Sequence, residues 1–573
     1  MSQKKKKLER KIQKTEVVNY KESLIHLDKN LSIREILKKD WAILLGLASL
    51  IFILYTNSLW GDFVSDDYAT ILNNPQIANL SIGFKGFSST YIANSLIANI
   101  FGVSPFQYHL FSTLLYASVS ILAYLFIFKL FKDKLLAIIT ILFFLFHPIH
   151  VEAVSWISGK PYLFIAFFVL LSTISYMRYI ETRKLGYIVI SLISFILAFI
   201  TDNPRPFSLF AILVLLFLID KKRFFLDEIK RLWPYAIGVI ILFLVFAWPH
   251  VIERVNAVNS GNNVSESIFY NPFFQYPTGL AKYFQIMFMP IDLTLYHTMY
   301  VFPVWLNWAV LITYLGSLIY FYFKDKRYFF ALSFILVAIL PSMAPVKVSW
   351  LVAERYAFLA SLGFSLLLGL IVIDIGKKYK YLAVVLSAVL MSFYGIRTYL
   401  RNIDWQTNHK LWVNTCQVSP NSHNAWNNIG DDYDKLEQYD NSIKGFTQST
   451  VVKPNYADAF HNRANIFYKI GRLDLARDSY NTALSYSPGL FQTYLSLTQI
   501  DLTEKRLDLA IEHASMAVNL QQNNPQSWYV LAVVQGQAGM IKEAKQSAKN
   551  ALILAPDYKA AREILLELER LES

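Results

Sequence analysis

Residues 41–60 read WAILLGLASLIFILYTNSLW, an apolar run without a charged side chain. About 20 such residues, wound as an α-helix, cross the roughly 30 Å hydrocarbon core of a bilayer. Twelve lysines and arginines precede the run within residues 1–40, and clustered basic residues keep their end of a membrane protein in the cytoplasm. The run is too long for a cleavable signal peptide. It therefore predicts a first spanning helix behind a basic, cytoplasmic N-terminal segment.

Similar apolar runs alternate with short basic loops as far as about residue 400. We predict ten further spanning helices, at 106–131, 135–148, 161–180, 185–200, 206–220, 234–249, 304–323, 328–341, 356–374 and 381–397. The positive-inside rule places the basic loops in the cytoplasm and the polar loops 61–105 and 250–277 outside. Residues 278–299 contain Pro290 and Asp292, so we predict a re-entrant or interfacial segment there. A span at that point would invert the topology of everything downstream.

The charge and cysteine content exclude two classes of protein. The formal net charge is +13. Because basic residues cluster between the apolar runs, we interpret the excess as loop charges beside a membrane and expect no nucleic-acid partner. Cys416 is the only cysteine, which rules out an internal disulfide framework.

An internal repeat of 34 residues follows the apolar region. Prolines recur at 454, 488 and 556, and alanines recur at 476, 510 and 544. Small side chains let paired helices touch and proline ends a helix, which together are typical of tetratricopeptide (TPR) repeats. We predict a linker at 401–420 and four repeats over 421–573, with a concave groove for peptides or partner proteins. A rigid spacer is the alternative. Because helix 381–397 exits, the repeats are expected outside the cytoplasm.

The predicted fold class is thus all-α: a polytopic bundle of about eleven membrane helices over 41–400, followed by a TPR solenoid. The first outside loop carries the adjacent carboxylates Asp66 and Asp67 directly after the first helix. Ionisable groups beside a bilayer are candidates for function. Two carboxylates this close raise each other's pKa or hold a divalent cation. A solvated loop is the alternative.

Two more predicted helix ends on the outer side contain clusters of ionisable residues. One reads His147-Pro-Ile-His150-Val-Glu152 and continues to Lys160; Pro148 distorts it, so zinc is disfavoured against a structural role or binding of an anionic headgroup. The other contains Glu354-Arg355-Tyr356. Arg355 suits a phosphate because its fork binds two oxygens at once. The structural alternative is a Glu354–Arg355 pair that fixes the following helix.

Together these strings resemble one family. They are Phe63-Val-Ser-Asp66-Asp67, His147-Pro-Ile-His150-Val-Glu152-Ala-Val, Ala353-Glu354-Arg355-Tyr356, and Arg401-Asn-Ile-Asp-Trp405 with Leu411-Trp412. In this order, before TPR repeats, they are similar to the transmembrane-and-TPR-containing O-mannosyltransferases and their bacterial relatives, of the GT-C membrane glycosyltransferase superfamily. The resemblance implies transfer of a sugar, mannose in the studied members, from a polyprenyl-phosphate carrier to protein Ser or Thr hydroxyls. It places the protein in a bacterial inner membrane.

The chain departs from the family's pattern at two places. Family members carry a Gly-Arg-Ala-Asp-like string where this chain has Gly159-Lys160-Pro-Tyr, which keeps a cation but loses the acid. They carry a Lys-Glu pair where this chain has Asp202 and Arg205 in shifted register. These departures put the identity of the sugar in doubt.

The resemblance implies roles for these residues. Asp67 is the first choice and Asp66 the second for the base that takes the acceptor's proton, with inversion at the anomeric carbon. Arg355, with Lys160 or Arg205, meets the charge on the leaving phosphate. A divalent ion, Mg²⁺ or Mn²⁺, could bridge Asp66 or Asp67 to the phosphate, although no complete ligand set is evident. His147, His150, Glu152, Asp202, Glu354 and Tyr356 are expected to support the site.

Two other functions stay open. The same chemistry on a lipid or polysaccharide acceptor is one, and a non-catalytic membrane-anchored TPR scaffold is the other. A scaffold has no need of an acidic pair or of cations that face outward. A transporter is disfavoured because ionisable residues are not spaced through the middle of the helices.

Overall fold

The computed structural model describes residues 33–85, 88–199, 201, 212–216, 232–242, 244, 252, 271–298, 302–343 and 350–572. Over these residues the chain forms helices and no strand, and the all-α prediction is confirmed. The chain divides between Asn414 and Thr415 into two compact units. The predicted positions Asp202 and Arg205 lie outside the described residues.

The helices of the first unit are numbered in chain order. They are α1 Ile33–Lys39, α2 Trp41–Leu54, α3 Leu80–Lys85, α4 Ser89–Phe101, α5 Pro105–Phe131, α6 Lys134–Phe146, α7 Val151–Ser155, α8 Lys160–Thr182, α9 Leu185–Phe199, α10 Trp233–Leu242, α11 Pro272–Phe288, α12 Val304–Lys324, α13 Lys326–Ile339, α14 Ala360–Gly376 and α15 Lys380–Asp404. The helix α16, Asn408–Val418, crosses the division between the units. The segment 401–420, predicted to be a linker, is therefore largely helical.

Several helices of this unit have the length and composition of membrane spans. Within the described ranges, five stretches qualify: Pro105–Phe131, Ile157–Thr182, Val304–Lys324, Lys326–Met343 and Lys380–Asp404. The pair Lys134–Phe146 and Pro148–Ser155 also qualifies when taken together, but it is bent by 58°, as in a broken span or a re-entrant loop. The apolar helices α2, α9 and α14 are shorter. The protein is thus an integral membrane protein. The expected count of about eleven spans is not established, since some helices are short or bent and most of the predicted span 206–220 and the end of 234–249 lie outside the described residues.

The start of α12 lies beside the start of α11. Asn307, near the start of α12, donates a hydrogen bond to Thr278 at 3.2 Å, and Phe284 packs on Tyr314 further along α12 with ring centroids 5.1 Å apart. The helices α11 and α12 therefore run parallel. Whether residues 278–299 are re-entrant stays a prediction.

The second unit consists of paired antiparallel helices followed by a last single helix. The pairs are α17 His423–Lys435 with α18 Tyr439–Val452, α19 Ala457–Lys469 with α20 Leu473–Tyr486, α21 Phe491–Thr503 with α22 Leu507–Leu520, and α23 Pro525–Gln537 with α24 Ile541–Leu554; α25 is Lys559–Glu572. The small residues of the predicted repeat lie where the paired helices cross. Ala476, Ala510 and Ala544 are fully buried, and a Cβ added at Gly430 would come within 2.8 Å of the Phe446 ring. Four TPR-like pairs and a terminal helix are present.

Candidate functional site

The loop that follows α2 is anchored by the segment between α15 and α16. The Asp62 N–H donates to the Gln406 carbonyl at 2.8 Å, and the Ser65 N–H donates to Asn408 Oδ1 at 3.0 Å. Ser65 has a φ of +52°, in the left-handed region that residues other than glycine rarely adopt. The chain turns sharply at Ser65, and the two aspartates that follow it have opposite environments.

Asp67 points into the protein and is fully buried. Its Oδ1 accepts hydrogen bonds from the Ser158 N–H at 2.8 Å and from the Ser158 hydroxyl. Its Oδ2 accepts from the Val64 N–H at 3.1 Å. Burial raises the pKa of Asp67 to about 6, although these hydrogen bonds and the charge of Lys160 act in the other direction. Asp67 thus ties the loop to the turn that precedes α8.

Lys160 is also fully buried, and its ammonium group is engaged inside the protein. Its Nζ donates to Asn94 Oδ1 at 3.0 Å and to the Ile157 carbonyl at 3.2 Å, and it lies 4.9 Å from the centre of the Tyr108 ring. The charge of this ammonium also interacts with the Asp67 carboxylate. In this arrangement Lys160 supports the buried aspartate and is not presented to a ligand at the surface.

Asp66 is exposed, in contrast to its neighbour. Partial burial raises the pKa of its carboxyl group, and the positive charge of Arg355 lowers it. Its backbone carbonyl accepts from the Thr70 N–H at 2.9 Å and from the Thr70 hydroxyl at 2.8 Å. An accessible carboxylate thus lies in the field of an arginine that comes from a distant part of the chain.

Arg355 is held in place by Glu152, which is fully buried. The guanidinium forms an ion pair with Glu152 Oε1, and the Arg355 N–H donates to Glu152 Oε2 at 2.7 Å. The guanidinium carbon lies 5.4 Å from the centre of the Trp156 ring and 4.8 Å from that of Tyr356. The Arg355 side chain keeps 11% of its surface exposed. Nη1 is committed to Glu152 and Nη2 donates to the Tyr356 hydroxyl at 3.5 Å. The exposed part of the fork is what an oxyanion can meet.

The expected ion pair between Glu354 and Arg355 is wrong, because neighbouring side chains in this turn point to different partners. Glu354 accepts from Arg401 instead, at 3.0 Å and 3.3 Å. Arg401 also donates to Asp404 at 3.1 Å and to Asn414 at 2.9 Å. Both Glu354 and Arg401 are fully buried. Two separate ion pairs therefore hold this turn against α7 and α15.

The two histidines connect helices through hydrogen bonds. His147 Nδ1 accepts from the Ile149 N–H at 3.2 Å, so its Nε2 donates to the Met287 carbonyl at 2.8 Å. His150 lies 2.7 Å from the Tyr116 hydroxyl and 2.6 Å from Ser361 Oγ. Their nitrogens are used to join α6 and α7 to α5, α11 and α14.

The aspartate pair does not form a metal site by itself. Both oxygens of Asp67 accept N–H or O–H groups, which leaves only Asp66 to face an ion. Within the described ranges, no three His, Cys, Asp or Glu side chains are placed to hold a metal. Asp66 therefore offers one carboxylate, and a bridging Mg²⁺ or Mn²⁺ would take its other ligands from the donor phosphate and water.

Three residues of this site were missed from the sequence. Ser158 and Asn408 position the aspartate loop, and Arg401 pairs with Glu354. Ser and Asn are too common to stand out. Arg401 could have been predicted from the sequence, because a charged residue near the end of an apolar helix needs a partner.

The comparisons with known proteins agree with the resemblance seen in the motifs. The Tetratricopeptide repeat family model matches residues 457–489. Protein O-mannosyl-transferase TMTC3 of Homo sapiens is 23% identical over 584 residues, which cover 90% of this chain and 61% of that protein. Protein O-mannosyl-transferase TMTC1 of Homo sapiens is 33% identical over 161 residues, 24% of this chain and 18% of that protein. The chain spans about three fifths of the length of the TMTC3 relatives, which it matches over about nine tenths of its own length.

Among solved structures, a thermophilic TPR protein of Thermus thermophilus is similar over 31% of this chain and 94% of its own, with 16% identity and a TM-score of 0.26. The similarity of this chain to the TPR-containing membrane O-mannosyltransferases, inferred from its motifs, is confirmed.

Proposed function

We propose, from this similarity, that the protein is a membrane glycosyltransferase that moves mannose from a polyprenyl-phosphate carrier to Ser or Thr hydroxyls of proteins. One observation in the structure carries the proposal: the exposed carboxylate of Asp66 lies in the field of Arg355, a guanidinium fixed by the buried Glu152. A base beside an oxyanion-binding cation is what this transfer needs. The proposed reaction takes place on the outer side of the membrane, where the sequence places this loop.

In the proposed reaction, Asp66 accepts the proton of the acceptor hydroxyl. The oxygen of that hydroxyl forms a bond to the anomeric carbon while the bond from that carbon to the phosphate oxygen breaks. The electron pair leaves with the polyprenyl phosphate, and Arg355 stabilises the charge that develops there. Attack from the side opposite the leaving group inverts the anomeric centre. The carrier's prenyl chain would lie along the apolar helices.

We propose roles for two residues that differ from those expected from the sequence. We propose Asp66 as the base because its carboxylate is accessible, while both oxygens of Asp67 are already bound. We assign Lys160 to the support of Asp67, since its ammonium group is buried against Asn94. Arg205 stays a proposed second cation for the phosphate, and Asp202 a proposed supporting acid.

The test of the proposed function is a transfer assay with the full chain purified in detergent. Polyprenyl-phosphate mannose is supplied with Ser- and Thr-containing peptides, and both released carrier and glycosylated peptide are measured by mass spectrometry. We expect equal amounts of the two products. Release of the carrier without modification of the peptide would mean that the acceptor is not a protein. If the carrier is released from none of the polyprenyl-phosphate sugars tested, the non-catalytic scaffold becomes the favoured function.

Activity should be lost as the pH falls through about 6. Carboxylates act as bases only when ionised, and burial raises the pKa of Asp67 to about 6 and that of Asp66 above its ordinary value. Protonation of Asp67 also removes one acceptor from the bonds that hold the loop. The measurement is kcat/KM between pH 4.5 and 8, with circular dichroism to show that the helices persist. A rate that stays constant down to about pH 4.5 would contradict the role of the Asp67 carboxylate in holding the loop.

The TPR repeats are proposed to recruit acceptor proteins and to take no part in the chemistry. Deletion of residues 421–573 should reduce mannosylation of a folded or long acceptor by about ten-fold or more, as expected when tethering is lost. Turnover with a small hydroxyl acceptor should change little. Loss of both activities, with the thermal transition of the membrane unit unchanged, would mean that the repeats complete the active site.

A further inference from the structure

A cavity lies in the membrane unit, at the end of the helix bundle that is remote from the candidate site. Ser361, near the start of α14, bonds to His150, and the rise of an α-helix puts Asp374 about 20 Å further along the axis. The cavity has a volume of about 360 Å³, and its walls come from the start of α13, the end of α14 and the turn before α15. The lining residues are Tyr328, Ile371, Asp374, Ile375, Lys378 and Tyr379.

Basic residues outnumber acidic ones around this cavity. The segments 324–328 and 374–380 contain six lysines and arginines but two aspartates. One of these aspartates, Asp325, forms an ion pair with Arg327 at 2.8 Å. Both segments belong to the basic loops that the positive-inside rule places in the cytoplasm. The surroundings of the cavity therefore carry an excess of positive charge, which favours an anionic ligand.

The acid inside the cavity is already matched by donors. Asp374 accepts from Lys377 Nζ at 2.6 Å and from the Tyr328 hydroxyl at 2.8 Å, and Arg327 lies 3.9 Å from it. These contacts join the end of α14 to the start of α13. The Asp374 carboxylate thus fixes the wall of the cavity and does not cancel the charge of the remaining lysines.

Lys378 is the cation that the cavity presents to a ligand. Its side chain is exposed, and its ammonium lies 5.0 Å from the centre of the Tyr379 ring. Within the described part of the chain this ammonium forms no hydrogen bond, so its three donors can meet the oxygens of a phosphate.

The wall that faces away from the basic residues is apolar. Ile371 and Ile375 lie one helical turn apart on α14, and 37% of the Ile371 side chain is exposed. Tyr379 and Tyr381 beside the cavity are exposed by 52% and 86%, and tyrosine is enriched where lipid headgroups meet water. The cavity therefore combines a charged rim at the level of the headgroups with an apolar wall toward the acyl chains.

We propose that this cavity binds an anionic phospholipid, whose phosphate pairs with Lys378 and whose acyl chain lies against Ile371 and Ile375. The inference does not depend on the proposed function. Basic pockets between membrane helices on the cytoplasmic side are suited to anionic headgroups. A soluble phosphate compound would be attracted by the same charges but would leave the apolar wall uncovered, so the observations favour a lipid.

The test measures lipid binding by the full chain in detergent, with native mass spectrometry as the readout. The two probes are phosphatidylglycerol and phosphatidylethanolamine with the same oleoyl chains, so that they differ in the net charge of the headgroup. We expect phosphatidylglycerol to bind at least about five-fold more tightly, the contribution of one lysine to the attraction of an anionic lipid.

Variants locate the binding site. Lys378→Gln should weaken binding of phosphatidylglycerol by about five-fold, and Lys378→Glu, which also adds a repulsive charge, by about 25-fold. Lys378 is exposed, so the melting temperature of both variants should stay near that of the unaltered chain. Lys184→Gln is the matched control. Lys184 is an exposed lysine in the loop between α8 and α9, on the same predicted side but outside the cavity, and this variant should bind as the unaltered chain does.

The outcomes separate a built lipid site from its alternatives. Equal binding of the two lipids, or unchanged binding by Lys378→Glu, overturns the inference. An equal loss in Lys184→Gln would mean that lipids respond to the basic surface in general, which also overturns it. Inorganic phosphate in excess should displace phosphatidylglycerol no better than sodium chloride of the same ionic strength. Stronger displacement by phosphate would make the cavity a site for a soluble anion and overturn its assignment to a lipid. No sugar donor or acceptor is present, so the result is independent of the transfer assay.

Discussion

Asp66→Asn should lower the rate of sugar transfer by about 10²–10⁴-fold, the range that a general base contributes. Asparagine keeps the size of the side chain but cannot take a proton at neutral pH. Asp66 is exposed, and within the described part of the chain its hydrogen bonds are formed by its backbone, so the variant should fold like the unaltered chain. The measurement is single-turnover release of sugar from the polyprenyl-phosphate donor, with the melting temperature as the check on folding.

Asp67→Asn is the matched comparison, because it makes the same chemical change one residue away. Its amide would turn a donor toward either Val64 or Ser158, whose N–H groups now donate to the carboxylate. An unsatisfied buried group of this kind costs about 1–3 kcal/mol. We therefore expect a lower melting temperature together with a smaller loss of rate. If Asp67→Asn instead loses more activity at unchanged stability, Asp67 is the base. If neither variant loses more than a few-fold, the loop is not catalytic.

The choice between these aspartates shows where sequence reasoning stops. The motif identified the pair, but adjacent residues are equivalent until the backbone path between them is known. The left-handed turn at Ser65 and the Ser158 hydrogen bonds decide which carboxylate is buried. Neither feature has a periodic or compositional signal. The same holds for Glu354 and Arg355, whose true partners, Arg401 and Glu152, are remote in sequence.

The repeats were predictable because their signal is periodic. Alanines at 476, 510 and 544 recur every 34 residues, and all three are buried between paired helices. The membrane unit has no such period. Its spans were predicted from the length of apolar runs. This overestimated the first helix, which ends at Leu54 instead of residue 60. Likewise Pro148 ends α6 at Phe146 and bends the chain into α7, an effect that hydropathy does not report.

Arg355→Lys should lower the rate of transfer by about 10²–10³-fold, comparable to the loss of a group that stabilises an oxyanion. Lysine keeps the charge but has no planar fork. A single ammonium group would stay with the buried Glu152, which needs a cation, and would leave the donor phosphate without its partner. Because the charge balance around Glu152 is kept, the fold should persist. The measurement is kcat and the KM for the donor, together with the melting temperature.

Arg401→Lys separates this effect from a general loss of structure. Arg401 is fully buried and donates to Glu354, Asp404 and Asn414, so lysine cannot replace all of its bonds. We expect that variant to unfold at a lower temperature and to keep most of its kcat while folded. Arg355→Lys should show the reverse. If Arg355→Lys turns over at nearly the normal rate, or if its activity falls only in step with its stability, Arg355 serves the fold. The phosphate must then be bound elsewhere, because the described Lys160 is already enclosed with Asp67.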